Sequence, residues 1–232
     1  MISVIIPAYN EEEHIKATIQ RVWQYDTDNL VKEIIVVDGG SSDATVTMAR
    51  SEGVRAVVSH KKGRAAQMNS GASIAREEIL YFLHADTMPV MGFTGDIRQA
   101  LEDGYDAGCF MLAFDHPHWF LKVNCWFTRF DVDAFHYGDQ SLFVKCDHFH
   151  SAGGFCEKHI VFEDYHIIKQ LKKRGRFTIV KKRVITSARK YLDNGIYKMQ
   201  GVFYLMFFLY KLGLSQPRLI ATYKRLIKQE KI

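Results

Sequence analysis

Four short segments of the 232-residue chain carry side chains able to hold a phosphorylated ligand, and each directly follows a short apolar run. They are Pro7-Ala8-Tyr9-Asn10-Glu11, Asp38-Gly39-Gly40-Ser41-Ser42-Asp43, Lys61-Lys62-Gly63-Arg64 and His84-Ala85-Asp86. Together they supply an aromatic face, carboxylates and a cationic loop at a helix start, a set suited to a base, a ribose and a pyrophosphate. Singly each is weak. An isolated Asp-Gly-Gly is more often a turn than a site. Tyr9 after a buried run can be a core residue, Asp38 a capping carboxylate and Arg64 a solvated charge. The joint placement carries the inference. Further along, Glu163-Asp164 opens an amphipathic segment. A carboxylate there can take the proton of an attacking hydroxyl, or it can simply favour the positive end of a helix.

The elements that would position these residues are legible in the first third. Residues 2–6, 34–37, 54–58 and 79–83 are short, nearly continuous apolar runs, the pattern of strands covered on both faces. Between them, Ile15, Ile19, Val22 and Trp23 recur at helical spacing, with Asn10 as the expected cap and Glu11, Glu12 and Glu13 at the positive end. Ser41 to Thr45 open a second helix, and residues 64–75 read as a small-residue helix. This alternation implies parallel pairing with right-handed crossovers, and in such sheets ligands bind beyond the carboxyl ends of the strands.

The second half is less regular. Residues 105–114 and 141–145 read as strands, and 119–130 as an aromatic helix. Residues 164–174 read as a helix stopped by Gly175, and 195–212 and 216–228 as two final helices, with Pro217 early in the second. The apolar patch 202–210 is too short to span a bilayer, which needs about twenty apolar residues.

Composition is that of a folded domain, 47% hydrophobic and 25% charged, with no sign of disorder or repeats. The apolar start lacks a basic leader and is cut short by Pro7, which disfavours an export signal. Four scattered cysteines without a Cys-x-x-Cys pair fit a reduced, cytoplasmic protein. Cys146, His148, His150, Cys156 and His159 lie close in sequence, but their spacing matches no zinc pattern, and ordinary loop and core residues are the simpler account. The net charge is +5. Between Lys169 and Lys190 stand ten Lys or Arg and no acid. Most of these read as a solvated helix face and strand edge. A phosphate-rich ligand or an anionic membrane are the functional alternatives, and nucleic acid ranks last because no motif accompanies the charge.

The first two motif stretches, residues 4–12 and 35–45, resemble the opening of family 2 glycosyltransferases, which adopt the GT-A fold. Gly63-Arg64-Ala65-Ala66-Gln67-Met68-Asn69-Ser70-Gly71-Ala72, Phe82-Leu83-His84-Ala85-Asp86-Thr87 and Gly138-Asp139-Gln140-Ser141-Leu142-Phe143 narrow the match. So do Gly153-Gly154-Phe155, Glu163-Asp164 and Thr186-Ser187-Ala188-Arg189. The set is similar to a small single-domain bacterial branch, the radical-SAM/selenodomain-associated glycosyltransferases, and the likeness runs from residue 2 to about residue 225.

The resemblance implies one glycosyltransferase domain over residues 1–232. It would have a Rossmann-like nucleotide-sugar half (1–90), an acceptor and catalytic half (91–190) and C-terminal helices (191–232), built on a mixed, mostly parallel α/β sheet flanked by helices. It implies an inverting transfer from a nucleoside-diphosphate sugar, with a UDP-sugar favoured, to an acceptor hydroxyl. Pro7, Tyr9, Glu11, Asp38, Arg64 and His84 would hold the nucleotide, Tyr9 by stacking and Arg64 through paired hydrogen bonds. Asp86 falls on the last acid of the family's Asp-x-Asp motif, the ligand of a divalent cation (Mn²⁺ or Mg²⁺). His84 departs from that motif, where an acid is usual, so metal affinity without nucleotide should be poor. Asp164 would be the catalytic base and Glu163 the neighbour that positions it.

Asp139 and Gln140 are expected on the acceptor side. Trp119, Trp126 and Phe127 are candidates for an apolar acceptor platform, with at least two of the three expected in the core. Two other classes remain open. A nucleotidylyltransferase would need a glycine-rich basic loop where this chain has Pro-Ala-Tyr-Asn-Glu-Glu-Glu. A non-catalytic nucleotide-sugar-binding protein would not need Asp164 and Asp86. An NAD-dependent enzyme is disfavoured because no Gly-x-Gly-x-x-Gly follows the first strand.

The C-terminal third admits two readings. In one, the basic 169–190 stretch, the aromatic run 203–210 and Arg218, Lys224, Arg225, Lys228 and Lys231 bring the protein peripherally to the inner face of a membrane, where a lipid-linked acceptor would lie. In the other, that helix packs over the sheet or in a dimer interface and the charges are solvated.

Overall fold

The computed structural model describes residues 1–132 and 138–228; Lys231 of the basic terminus lies outside them. The first half alternates β1 (Ile2–Ala8), α1 (Ile15–Tyr25), β2 (Val31–Asp38), α2 (Thr45–Ser51), β3 (Arg55–Val58), α3 (Arg64–Ile74) and β4 (Ile79–Phe82). The second half holds β5 (Thr87–Met88), α4 (Phe93–Glu102), β6 (Ala107–Phe114), α5 (Trp119–Phe127), a 3-10 turn (Gly138–Gln140), β7 (Phe143–Lys145) and α6 (Cys146–Ser151). After these come α7 (Glu163–Lys172), β8 (Phe177–Thr186), α8 (Arg189–Asn194), α9 (Ile196–Lys211) and α10 (Gln216–Leu226).

The strands form one sheet in the order β3-β2-β1-β4-β7-β6-β8-β5. β3, β2, β1 and β4 pair in parallel, as the repeated strand–loop–helix pattern implies. β7 then runs antiparallel to both β4 and β6, β8 is parallel to β6, and β5 closes the edge antiparallel to β8. The sheet is therefore mixed and mostly parallel.

β1 is central, buried at every position, and its side chains alternate between two cores. Ile2, Val4 and Ile6 meet Ile15, Ile19 and Val22 of α1 and Phe93 and Ile97 of α4 on one face. Ile5, with Ile35 and Val37 of β2, meets Ala65, Met68 and Ala72 of α3 and Ile167, Ile168 and Leu171 of α7 on the other. Each such Ile or Val contributes about 1.5–3 kcal/mol on burial, so the alternation fixes which helix lies on which face. The small residues of α3 let it approach closely: a Cβ at Gly71 would stand 2.4 Å from the Ile5 side chain.

Several local expectations are corrected. α1 begins at Ile15 with His14 at its cap position. Asn10 instead adopts a left-handed conformation (φ 53°), and its Oδ1 accepts the Ser42 N–H at 2.9 Å, tying the loops after β1 and β2 together. α2 begins at Thr45, not at Ser41, because Asp43 accepts the Thr45 N–H and the 41–44 stretch serves as a loop. α4, β5 and β8 were not expected. β8 hides its strand character behind Lys181, Lys182 and Arg183, which are exposed on its outer part. That supports the solvated reading for this part of the basic stretch.

The C-terminal helices build a third core, in which Met199, Val202 and Met206 of α9 pack with Leu121 of α5, Tyr191 of α8 and Leu219 and Tyr223 of α10. Packing against the domain therefore claims one face of α9, while Tyr197, Leu205, Phe208 and Leu212 remain exposed. No helix among the described residues is long and apolar enough to cross a membrane.

Candidate functional site

The loops that leave β1, β3 and β4 open into one cleft of about 1230 Å³, whose other wall is made by α7, α8 and α9. Pro7, Tyr9, Glu11, Arg64, His84, Asp86, Asp139 and Asp164 all line it. Backbone placement is tightly held. Gln67 of α3 donates both amide hydrogens, to the Ala8 carbonyl (2.7 Å) and the Val37 carbonyl (2.8 Å), and so locks the ends of β1 and β2 against α3. Gly63 takes a positive φ of 108° at the entry to α3, a turn that glycine allows and that swings Arg64 over the cleft. The His84-Ala85-Asp86 loop is pinned from α1 by the Thr18 hydroxyl, which donates to the Ala85 carbonyl at 2.6 Å.

Tyr9 is 39% exposed at the cleft, so its ring is available for stacking and is not spent in the core. Arg64 reaches the Glu163-Asp164 pair itself. Its Nε donates to Glu163 Oε1 at 2.5 Å and its Nη2 lies 3.5 Å from Asp164 Oδ2. Glu163 is fully buried while Asp164 faces the cleft, and the Arg64 guanidinium bridges the two carboxylates. Burial, and next the charge of Glu163, push the Asp164 carboxyl up to about 6, against the opposing pull of Arg64 and His84. A carboxylate with that proton affinity is ionised at neutral pH yet basic enough to accept a proton from a hydroxyl.

His84 is buried, and its Nδ1 lies 2.7 Å from Asp139 Oδ1. Burial and the Arg64 charge lower the proton affinity of His84, but the hydrogen bond and charge of Asp139 outweigh them and leave it raised. The same contact, with Arg64, holds Asp139 well below the usual carboxylate range although burial opposes it. This contact ties Asp139, expected on the acceptor side, to the loop after β4 that carries His84 and Asp86. Asp86 is raised, first by burial and then by the negative charge of Asp139.

Asp86 Oδ2 accepts from Arg189 Nη2 at 3.1 Å, and the same nitrogen donates to Glu11 Oε1 at 2.6 Å. Arg189 was not assigned a role from sequence. Its signal was the Thr186-Ser187-Ala188-Arg189 motif, and β5–β8 pairing (Thr87 opposite Thr186) carries it to Asp86. The other oxygen, Asp86 Oδ1, has no protein partner among the described residues. A hard carboxylate oxygen of this kind fits Mn²⁺ or Mg²⁺. One carboxylate cannot cage such an ion alone, so the donor set suits a cation shared with a diphosphate.

Besides the buried Glu163, three expected site residues do not line the cleft. Asp38 is spent on its own turn: its carboxylate accepts the Gly40 and Ser41 N–H groups and the Ser41 hydroxyl. Gln140 is buried and donates to the Phe110 and Thr128 carbonyls, bracing β6 against the end of α5. Trp126 lies on the outer side of α5 with the Arg129 guanidinium 4.5 Å above its ring. At least two of Trp119, Trp126 and Phe127 were expected in the core, yet Trp119 and Trp126 are exposed and Phe127 is only partly covered, because α5 buries Leu121 and Cys125 on its opposite face.

Residues 3–153 match the model of the family described as glycosyl transferase family 2. Among curated relatives, the chain is 28% identical over 132 residues to an undecaprenyl-phosphate 4-deoxy-4-formamido-L-arabinose transferase of Aeromonas hydrophila, covering 53% of this chain and 40% of that protein. The chain spans well under half the length of such relatives, 31% in a glycosyltransferase of Haloferax volcanii. Among solved structures, a mannosyltransferase of Pyrobaculum calidifontis in complex with GDP-mannose and Mn²⁺ superposes with a TM-score of 0.70 at 20% identity, over 96% of this chain and 68% of that one. The glucosyl-3-phosphoglycerate synthase of Mycobacterium tuberculosis, with Mn²⁺, UDP and glucosyl-3-phosphoglycerate, does so with a TM-score of 0.65 at 17% identity, over 92% and 80%. Fold and family model agree: the chain belongs to glycosyltransferase family 2 and has the GT-A fold of those enzymes.

Proposed function

We propose that this chain is an inverting glycosyltransferase that moves a sugar from a nucleoside-diphosphate sugar, with a UDP-sugar favoured, to an acceptor hydroxyl, using Asp164 as the base. The observation that carries this reading is the position of Asp164. It is a cleft carboxylate with its proton affinity lifted to about 6, in the same cleft as the Tyr9, Arg64, His84 and Asp86 loops.

In this reading Tyr9 stacks on the base. The His84 ring, oriented by Asp139, donates to the ribose or diphosphate, and Asp86 would help to hold a divalent cation. When bound, the cation neutralises charge on the departing diphosphate. Arg189 keeps Asp86 and Glu11 in place. Glu163 anchors Arg64, which holds the Asp164 carboxylate, and Asp164 takes the acceptor proton as the hydroxyl attacks the anomeric carbon from the face opposite the leaving group. The acidic, glycine-free loop after β1 disfavours triphosphate chemistry of the nucleotidylyltransferase kind, and a non-catalytic binder has no use for Asp164. A thermal-shift panel of nucleoside diphosphates with and without Mn²⁺ tests the donor. UDP with Mn²⁺ should give the largest rise in Tm; no shift with any diphosphate would remove the reading.

The acceptor side favours an apolar molecule presented at a membrane surface. Phe203, Met206 and Phe207 of α9 line the cleft, while Tyr197, Leu205 and Phe208 of the same helix, Leu212 just after it and Trp119 of α5 are exposed. The Aeromonas relative carries undecaprenyl phosphate in its name. A peripheral position at the inner face of the cytoplasmic membrane follows from this proposal.

A further inference from the structure

Away from the cleft floor, Cys156, His159 and His166 each bring one ligand atom to within 4.8 Å of the other two. Cys156 and His159 lie on the segment between α6 and α7, closed by a turn in which the His159 N–H donates to the Cys156 carbonyl at 2.9 Å. His166 stands in the first turn of α7, two residues beyond Asp164. Spacing within the 146–159 stretch concealed this trio, because its third member comes from a different element. His148 faces elsewhere, its Nε2 being 3.3 Å from the Leu171 carbonyl.

Two further features point to a ligand. The imidazoles of His159 and His166 are stacked, with centroids 4.4 Å apart and planes 27° from parallel. The Nδ1 atoms of both rings are buried and have no hydrogen-bond partner. Buried polar atoms are nearly always satisfied, so two orphaned nitrogens on stacked rings, with a free thiol close by, point to an occupant. A thiolate and two imidazoles form a borderline-soft donor set that suits Zn²⁺ and does not suit Mg²⁺ or Ca²⁺. Zinc bond lengths place such atoms roughly 3.3–3.6 Å apart, so the three groups need to close by only about 1 Å. His159 also has the outer partner expected of a ligating imidazole: its Nε2 lies 3.4 Å from the Tyr210 hydroxyl.

We propose that Cys156, His159 and His166 form a zinc site, with water in the fourth position, that ties the segment before α7 to α7 itself. The consequence is mechanical. Ile160, Val161 and Phe162 of that segment line the cleft, and α7 carries Glu163 and Asp164. One ion would fix the cleft wall to the helix of the carboxylates. This ion is distinct from a cation held at Asp86, and the site stands on its own residues whether or not the proposed transfer is correct.

The test uses full-length protein freed of metal with a chelator and kept without nucleotide. Zn²⁺ is titrated in competition with a chromophoric chelator, and Co²⁺ by absorption. About one zinc per chain should bind, with release of the Cys156 thiol proton and a rise in Tm. Co²⁺ should show tetrahedral bands with a thiolate charge-transfer band. Cys156→Ser should abolish that band, and Cys156→Ser and His166→Ala should each weaken zinc binding by more than about tenfold. Cys146→Ser, outside the trio, should bind as wild type does. His159→Ala replaces either variant if circular dichroism shows it unfolded. Absence of stoichiometric zinc binding by the wild type, or undiminished affinity in the trio variants, overturns the proposal.

Discussion

Asp139 Oδ1 lies 2.7 Å from Nδ1 of His84, joining the 3-10 turn Gly138–Gln140 to the loop that leaves β4. The Asp-x-Asp motif of the family has an acid where this chain has His84. Here the negative charge returns through space, one residue removed, and it is close enough to raise the proton affinity of Asp86. The pair also engages Nδ1, so that of the two ring nitrogens Nε2 is the one left for a ligand in the proposed reading.

Asp139→Asn should accordingly act on donor binding. The ring loses its orienting charge, and affinity for UDP with Mn²⁺ should fall by about tenfold or more, the scale seen for such outer partners. Isothermal calorimetry checks this, and an unchanged dissociation constant would assign Asp139 to the acceptor instead.

Asp86→Ala should abolish the metal-dependent part of diphosphate binding while leaving the fold intact, since the residue sits in a strand-end loop. The measurement is calorimetry of UDP with and without Mn²⁺. Metal-dependent affinity equal to wild type would remove Asp86 as the cation's ligand.

Asp164→Asn keeps shape and hydrogen bonding but cannot accept the proton. Turnover should fall by about a hundredfold or more with donor affinity barely changed. Near wild-type turnover would exclude Asp164 as the base.

The pH profile of turnover follows from the same group. Its carboxyl is raised from 3.8 to about 6, and turnover requires the ionised form. Activity should therefore be full above that value and drop as pH falls through it, by about tenfold per unit well below. An acid limb near pH 4 would mean that Asp164 is solvated in the working enzyme.

Anionic vesicles should sediment the protein at low salt and less at physiological salt, because basic residues near such a surface contribute about 1 kcal/mol each and are screened by ions. Tyr197, Phe208 and Leu212, exposed on α9, should retain part of that binding. No binding at either salt concentration would leave a soluble acceptor as the better reading.

The apolar runs of β1, β2 and β4 and the loops beyond them were legible because burial on both faces of a parallel sheet demands local, uninterrupted hydrophobicity, whereas β3 is a half-exposed edge strand. The same locality exposed Tyr9, Arg64, His84, Asp86 and Glu163-Asp164, each marked by its place at the end of a strand or the start of a helix. What the sequence could not show are the pairings across the chain. Insertion of β7 between β4 and β6 brings Asp139 to His84, and the β5–β8 ladder brings Arg189 to Glu11, 178 positions away. Asp38 and Gln140 have the right chemistry for a ligand but spend it on backbone groups, a choice made by the turn geometry around them. Trp119 and Trp126 are hydrophobic enough for a core, yet α5 turns Leu121 and Cys125 inward instead. Periodicity specifies which face of an element is apolar; only the assembled sheet decides which distant residue that element meets.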